Sequence, residues 1–240
     1  MDLKLADVSR LLNVSKSTIR RWLAEGRIPA YRLGNQYRFS PMEIEAWVMS
    51  QKMGNTPQPE STEKFQLDLE EEDEEEETNL LGLNQFSLYR ALNKGIVQSA
   101  VGGTNKEEVI RRATKEMGPA LNLDADVTAE LLLDRERLMS TALGLGIAVP
   151  HTREIHLEEG HDVINVLFLE EPIQYDALDG NPVHTLFFLF AADDKRHLHL
   201  LSKIAHFVQR PETLPLLQAR PNKMRLLKQI RTFEASLRGA

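Results

Sequence analysis

The sequence contains no cysteine among its 240 residues, which excludes disulfides and thiolate metal sites and makes a reducing compartment the natural setting. Nowhere do 18 apolar residues follow one another, so no membrane span is expected. The opening MDLKLADVSRLL lacks the basic start and apolar run of a secretory signal. A cytoplasmic protein with no membrane contact is the expectation. No internal repeat is visible. Metal-ligand spacing is also missing, although seven histidines occur: His151, His156, His161, His184, His197, His199 and His206. His197 and His199 are two apart in a helical pattern and so point to different faces, and neither His151 nor His156 has a histidine or carboxylate at a recognised spacing. No metal and no cofactor is expected.

What is present divides unevenly. The hydrophobic fraction of 42% is enough for a core, and the length allows one large domain or two unequal ones. The net charge of -7 hides an asymmetry. Residues 1–51 hold 8 Lys and Arg against 5 Asp and Glu, residues 52–80 hold 2 against 11, and residues 81–240 hold 19 against 20. A basic head, an acidic middle and a nearly neutral body follow, with any nucleic-acid contact confined to the head. The middle, MGNTPQPESTEKFQLDLEEEDEEEET, contains Pro57, Pro59 and an unbroken acidic run from Glu70 to Glu77. Such a run repels itself and buries too little apolar surface to offset its ordering entropy. Residues 52–78 therefore read as a flexible linker, with a random-coil span of roughly 30 Å. Competition of these acids with DNA phosphate for the head is the functional alternative to a merely solvated tether. The predicted domains are 1–51 and 79–240.

In the head, Leu5, Val8, Leu11 and Leu12 recur at helical spacing, and Asn13-Val14 breaks the pattern. Ser15 is placed to cap a second helix that buries Ile19, Trp22 and Leu23 and ends near Gly26. Its polar face carries Lys16, Ser17, Thr18, Arg20 and Arg21, the side-chain types that contact bases and phosphates. AYRLGNQYRFS then reads as a hairpin about Gly34-Asn35, with Arg32 and Arg38 flanking the turn. Ser40-Pro41-Met42-Glu43 is a capping box opening a third helix that buries Ile44, Trp47 and Val48. The order of helix, turn, S-x-x-T-I-R-R-W, G-R-I-P-A, wing and third helix resembles the excisionase/MerR-type winged helix-turn-helix domain. The resemblance implies that Ser17, Thr18, Arg20 and Arg21 lie in the major groove of DNA and that Arg32 and Arg38 touch phosphate or the minor groove. The long dimerising helix and the cysteines of metal-sensing MerR regulators are missing, so metal sensing is not expected.

The body alternates helical patterns (NKEEVIRRATKEM, VTAELLLDRERLM, DDKRHLHLLSKIAHFVQ) with short apolar runs (GIAVPH, DVINVLFLE, VHTLFFLFA), which indicates a mixed α/β domain. Asp193 or Asp194 is placed to cap the third of these helices, whose buried face carries Leu198, Leu201, Ile204, Ala205 and Val208. His199 and His206 read as surface or partly packed positions. GIAVPH is an apolar strand that runs out on His151. A neutral imidazole can accept a phosphoryl group if its nitrogen is positioned, positive charge compensates the dianion, and donors hold its oxygens. An arginine fork and a histidine in the first turn of a helix suit the last two tasks.

LLLDRERLMSTALGLGIAVPH, with PIQYDALDGNPVHTLFFLFA and HLHLLSKIA, resembles the enzyme IIA domain of the fructose/mannitol class of the bacterial phosphotransferase system, nitrogen-regulatory members included. The resemblance covers about residues 82–236. It implies an α/β mixed-sheet fold flanked by helices, with His151 accepting phosphate from a histidine-containing phosphocarrier protein. It further implies that His197 orients His151 or binds the phosphoryl group and that Arg135 neutralises it. The chain has no cysteine of the IIB type and no membrane domain, so no relay onward to sugar can run within it. The expectation is a DNA-binding regulator linked to the phosphotransferase system, acting as a homodimer on paired half-sites. The alternatives are a phosphocarrier that serves a separate IIB protein and a catalytically silent module that binds a partner such as a regulated kinase.

Overall fold

A computed structural model of the chain describes residues 2–12, 14–34, 36–50, 86–157 and 161–237. These form two compact units, within Met1–Gln85 and Phe86–Ala240. The predicted linker over 52–78, the domain limits at 51 and 79, and the turn residues Asn13 and Asn35 lie outside the described residues. No helix among the described residues is long and apolar enough to cross a membrane.

In the first unit, α1 (Leu5–Leu12) buries Val8, Leu11 and Leu12 at helical spacing. Helix α2 (Lys16–Ala24) starts on Ser15, whose Oγ accepts the Thr18 amide at 3.1 Å, and it buries Ile19. The chain leaves α2 through Gly26 at φ +63°, a left-handed conformation that a Cβ disfavours. Strands β1 (Tyr31–Leu33) and β2 (Gln36–Arg38) pair antiparallel with Arg32 opposite Tyr37, and Gly34 supplies the positive φ of the turn. Leu3 and Phe39 then exchange backbone hydrogen bonds at 2.9 and 3.0 Å, which ties the N-terminus to the end of the hairpin. Helix α3 (Pro41–Ser50) opens on proline and buries Ile44 and Val48. Trp47 reaches back to α2, with its ring 5.3 Å from that of Trp22 and its indole N–H donating to the Arg27 carbonyl.

The second unit is a six-stranded mixed sheet with helices on its faces. The strands are β3 (Val97–Val101), β4 (Ala142–Gly144), β5 (Ile147–Ala148), β6 (His151–His156), β7 (Val163–Ile173) and β8 (Val183–Ala191). Their order is β3-β7-β8-β5-β4, with β6 also on β8. The central pair β7–β8 is antiparallel, whereas β3 on β7 and both β5 and β6 on β8 are parallel. Being buried on both faces, β8 reads as VHTLFFLFA, an apolar run without alternation. One face carries Leu167, Leu169, Leu186, Phe188 and Phe190 against Val109, Ile110 and Ala113 of α5 (Lys106–Leu121) and Ala129, Leu132 and Leu133 of α6 (Ala125–Leu138). The alternating residues Val166, Phe168, Phe187 and Leu189 are also buried, on the opposite face by the period of the strand. Helices α4 (Ser87–Lys94) and α7 (Asp194–Val208) pack on β7 and β8, and α9 (Lys223–Ser236) packs on α4. Helix α8 (Thr213–Gln218) connects α7 to α9.

Two local expectations need correction. The strand GIAVPH does not end on His151. It is interrupted at Val149-Pro150, and His151 opens β6, which resumes pairing with β8 opposite Leu189. His199 is not a surface position: it is buried, with Nε2 3.0 Å from the Ser87 hydroxyl at the start of α4. Helix α7 is buried over nearly all of its circumference from His197 to Ala205, so its pattern understated how much of it is core.

Candidate functional site

The interruption before β6 is what sets His151. Pro150 has no N–H to give the ladder, so it sits where the strand bulges away, and its carbonyl still accepts the Leu189 amide at 3.1 Å. The Val149 amide turns instead to the Thr141 carbonyl at 3.0 Å, and the Val149 carbonyl is left facing the imidazole. His151 Nδ1 lies 2.6 Å from that oxygen. A carbonyl can only accept, so this bond requires the proton on Nδ1 and leaves the Nε2 lone pair as the nucleophilic position of the neutral ring.

His197 stands beside it, with ring centroids 5.0 Å apart and planes at 52°. It lies in the first turn of α7, where its amide donates to the Asp193 carbonyl at 2.9 Å. The Asp193 carboxylate caps the same turn by accepting the Arg196 amide at 2.9 Å. The turn from β8 into α7 is pinned by Asp162, which accepts the Ala192 amide at 3.1 Å and is forked by the Arg196 guanidinium, Nε at 2.7 Å. The parallel register of β6 on β8 thus brings His151 to the end of β8 from which α7 departs, and both rings are buried.

Arg135 is half-buried at the end of α6, where its Nη1 donates to the Met139 carbonyl at 2.9 Å. The neighbouring acid is used differently from a surface ion pair. Glu136 is buried, and its carboxylate accepts the Thr141 amide at 3.0 Å, the Thr141 hydroxyl, and the Tyr175 hydroxyl at 3.0 Å. Burial, then the charge of Glu136 and its hydrogen bond, push the Tyr175 phenol well above its ordinary pKa. Ser140 adds a hydroxyl bond to the Tyr175 carbonyl at 2.8 Å. Sequence reasoning passed over Glu136, Thr141 and Tyr175. The only signal was an acidic residue inside an otherwise amphipathic helix pattern, and Tyr175 is 39 residues away from it.

The residues expected to meet DNA occupy one helix and one hairpin. Ser17 and Arg21 on α2 are exposed, and Lys16, Thr18 and Arg20 are half-buried. The Ser15 hydroxyl contacts both Ser17 Oγ at 2.7 Å and Thr18 Oγ1 at 2.9 Å, so the cap also orients two candidate contact residues. On the hairpin, Arg32 Nε donates to the Gly34 carbonyl at 3.1 Å, and Arg38 holds the Tyr37 carbonyl at 3.1 Å and the Gln36 side chain.

A short helix pair with a hairpin, joined in one chain to a mixed sheet carrying paired histidines, defines a helix-turn-helix protein with a phosphotransferase-type body. Residues 90–232 match the family model "Phosphoenolpyruvate-dependent sugar phosphotransferase system, EIIA 2", and residues 3–52 match that of a helix-turn-helix domain. The chain belongs to the first of these families and carries the second as its N-terminal domain. It is 36% identical over 137 residues to "Nitrogen regulatory protein" of Pseudomonas aeruginosa, covering 56% of this chain and 88% of that one. It is 30% identical over 134 residues to "PTS system fructose-specific EIIABC component" of Bacillus subtilis, covering 53% of this chain and 20% of that one. Among solved structures, nitrogen regulatory protein IIA-Ntr from Neisseria meningitidis shares the fold, with a TM-score of 0.53, 23% identity, and coverage of 60% of this chain and 98% of that one.

Proposed function

We propose that the body accepts a phosphoryl group on Nε2 of His151 from a histidine-containing phosphocarrier protein, and that the head binds DNA. The protein is then a cytoplasmic transcriptional regulator whose state follows flux through the phosphotransferase system. The observation that carries this reading is the His151 Nδ1 contact with the Val149 carbonyl at 2.6 Å, which puts the proton on Nδ1 and the lone pair on Nε2. The Nε2 lone pair attacks the phosphorus of the carrier's phosphohistidine. The carrier's N–P bond breaks, its electron pair returns to the carrier's imidazole, and the Nδ1 proton stays on His151, shared with the Val149 oxygen. His197 and the positive end of α7 supply donors for the phosphoryl oxygens, and Arg135 supplies compensating charge.

Regulation is favoured over transport by the names of the relatives matched over most of their length, which are nitrogen regulatory proteins. The fructose-specific relative supports a second reading, in which the phosphate passes on to a separate IIB protein. Incubation of the full chain with a phosphorylated carrier tests the first step. Acid-labile, base-stable label is expected on the wild type and not on His151→Ala, and equal labelling of both would overturn the assignment. A gel shift with promoter DNA, run with and without the relay, then separates a DNA regulator from a carrier that serves IIB alone.

A further inference from the structure

Val149, whose carbonyl orients the His151 imidazole, is also held through its own amide, and that link leads to a buried carboxylate. The Val149 amide donates to the Thr141 carbonyl at 3.0 Å, and the Thr141 amide donates to Glu136 Oε2 at 3.0 Å. Glu136 Oε1 takes the Thr141 hydroxyl and the Tyr175 hydroxyl. Glu136 is 3% exposed, and Thr141 and Tyr175 are fully buried. Three donors converge on one carboxylate inside the core, next to the short β4–β5 hairpin.

A carboxylate is an expensive group to bury, since its desolvation costs several kcal/mol before its hydrogen bonds offset it. An apolar side chain would close this corner of the fold more cheaply. What an apolar side chain cannot do is hold a backbone amide and a hydroxyl of Thr141 at the same time, and so fix the direction of the Thr141 carbonyl. That carbonyl holds the Val149 N–H, and the next carbonyl along the chain, across the Val149 Cα, is the oxygen that keeps the proton on His151 Nδ1. Tyr175, arriving from the connection between β7 and β8, locks the carboxylate from the third side.

We propose that Glu136, with Thr141 and Tyr175, is a positioning group for His151, setting the tautomer and aim of the ring through the Thr141–Val149 contact. The inference deepens the phosphoryl-acceptor reading and rests on it for its purpose, although the tautomer it predicts exists without any phosphate. The described contacts carry the effect of Glu136 to the ring through the main chain of Thr141 and Val149.

The test uses the full chain and the variants Thr141→Val, Thr141→Ser and Tyr175→Phe. Two quantities are read for each: the nitrogen chemical shifts of the His151 ring, which report how fully the proton resides on Nδ1, and the initial rate of label uptake per folded molecule from a phosphorylated carrier. Thr141→Val is expected to move the ring from an Nδ1-protonated form toward a mixture of tautomers and to slow uptake at least tenfold. Thr141→Ser, which keeps the hydroxyl, restores both, and Tyr175→Phe shifts both in the same direction by less. If Thr141→Val and Tyr175→Phe lower only the melting temperature while ring shifts and rate per folded molecule stay at wild-type values, the positioning role is overturned. A wild type that takes no label defeats the acceptor reading alone, because the ring shifts still decide the positioning role. Should Thr141→Val fail to fold, the ring shifts of Tyr175→Phe decide it, and an unchanged tautomer there counts against the proposal.

Discussion

The Lys203 ammonium and the Glu234 carboxylate meet at 2.5 Å in the core of the second unit, joining α7 to α9. The pair is more than an ion pair, because the same carboxylate accepts the Leu88 and Tyr89 amides at 3.1 and 2.9 Å. Those amides belong to the first turn of α4, which has no side-chain cap of its own. One carboxylate thus closes three helices. Burial pulls the Lys203 pKa below its ordinary value, and the attraction of Glu234 counteracts that only in part. Replacing Lys203 by Met strands a buried carboxylate and is expected to cost about 3–5 kcal/mol in urea unfolding. Removing the carboxylate as well, in Lys203→Met/Glu234→Leu, is expected to recover only part of this, since the α4 amides stay uncapped. Full recovery in the double variant would show that the cap contributes nothing.

Tyr175 predicts an alkaline limit. Its folded pKa lies well above the ordinary phenol value of 10.0, so below pH 10 the phenol is neutral in both folded and unfolded chains. Above pH 10 the unfolded chain releases the proton and the folded chain does not, so stability falls as pH rises toward the folded pKa. The loss from this one group approaches about 1.4 kcal/mol per pH unit. Tyr175→Phe is expected to be less stable than wild type at neutral pH, for want of the Glu136 bond, and to lose less between pH 10 and 11. Parallel stability profiles of the two proteins over that interval would contradict this.

Gly95 follows α4 at a place with no room for a side chain. A Cβ there would meet the Ile164 carbonyl oxygen at 2.0 Å and carbon at 2.6 Å, both backbone atoms of the central strand β7. Gly95→Ala is expected to cost at least about 1–3 kcal/mol, the range for overpacking, because the strand cannot yield without disturbing its ladder. Gly102→Ala is the control, as its nearest neighbour is the flexible end of Arg112 at 3.1 Å. Thermal unfolding of both variants checks the contrast.

In the head, Arg20→Ala/Arg21→Ala is expected to weaken binding of duplex DNA about tenfold or more at physiological salt. Loss of a phosphate contact also lowers the slope of log affinity against log salt by about 0.9 per contact. An unchanged slope with lower affinity would instead assign these arginines to base edges. Titration at several salt concentrations distinguishes the two outcomes.

Much of this architecture is legible in the chain because it is local. The period of α1, the Ser15 cap and the apolar runs of β7 and β8 each announce themselves within a dozen residues. What escapes is long-range. The parallel pairing of β3 with β7 skips across two helices and three strands, and no local pattern encodes it. His199 looks like a polar residue on a helix, since its partner Ser87 lies 112 positions earlier. Arg135 and Glu136 are neighbours in the chain, yet the backbone turns one toward the Met139 carbonyl and the other into the core.

The partner chosen for His151 carries a last consequence. A main-chain carbonyl neither titrates in the biological range nor disappears when a residue is substituted. Unlike a carboxylate, this acceptor is not itself removed by a drop in pH or by replacement of the Val149 side chain. The same bond would also survive the proposed phosphorylation at Nε2, since the far nitrogen keeps its proton. In the proposed transfer the ring would keep the same hold whether it received a phosphate or gave one away.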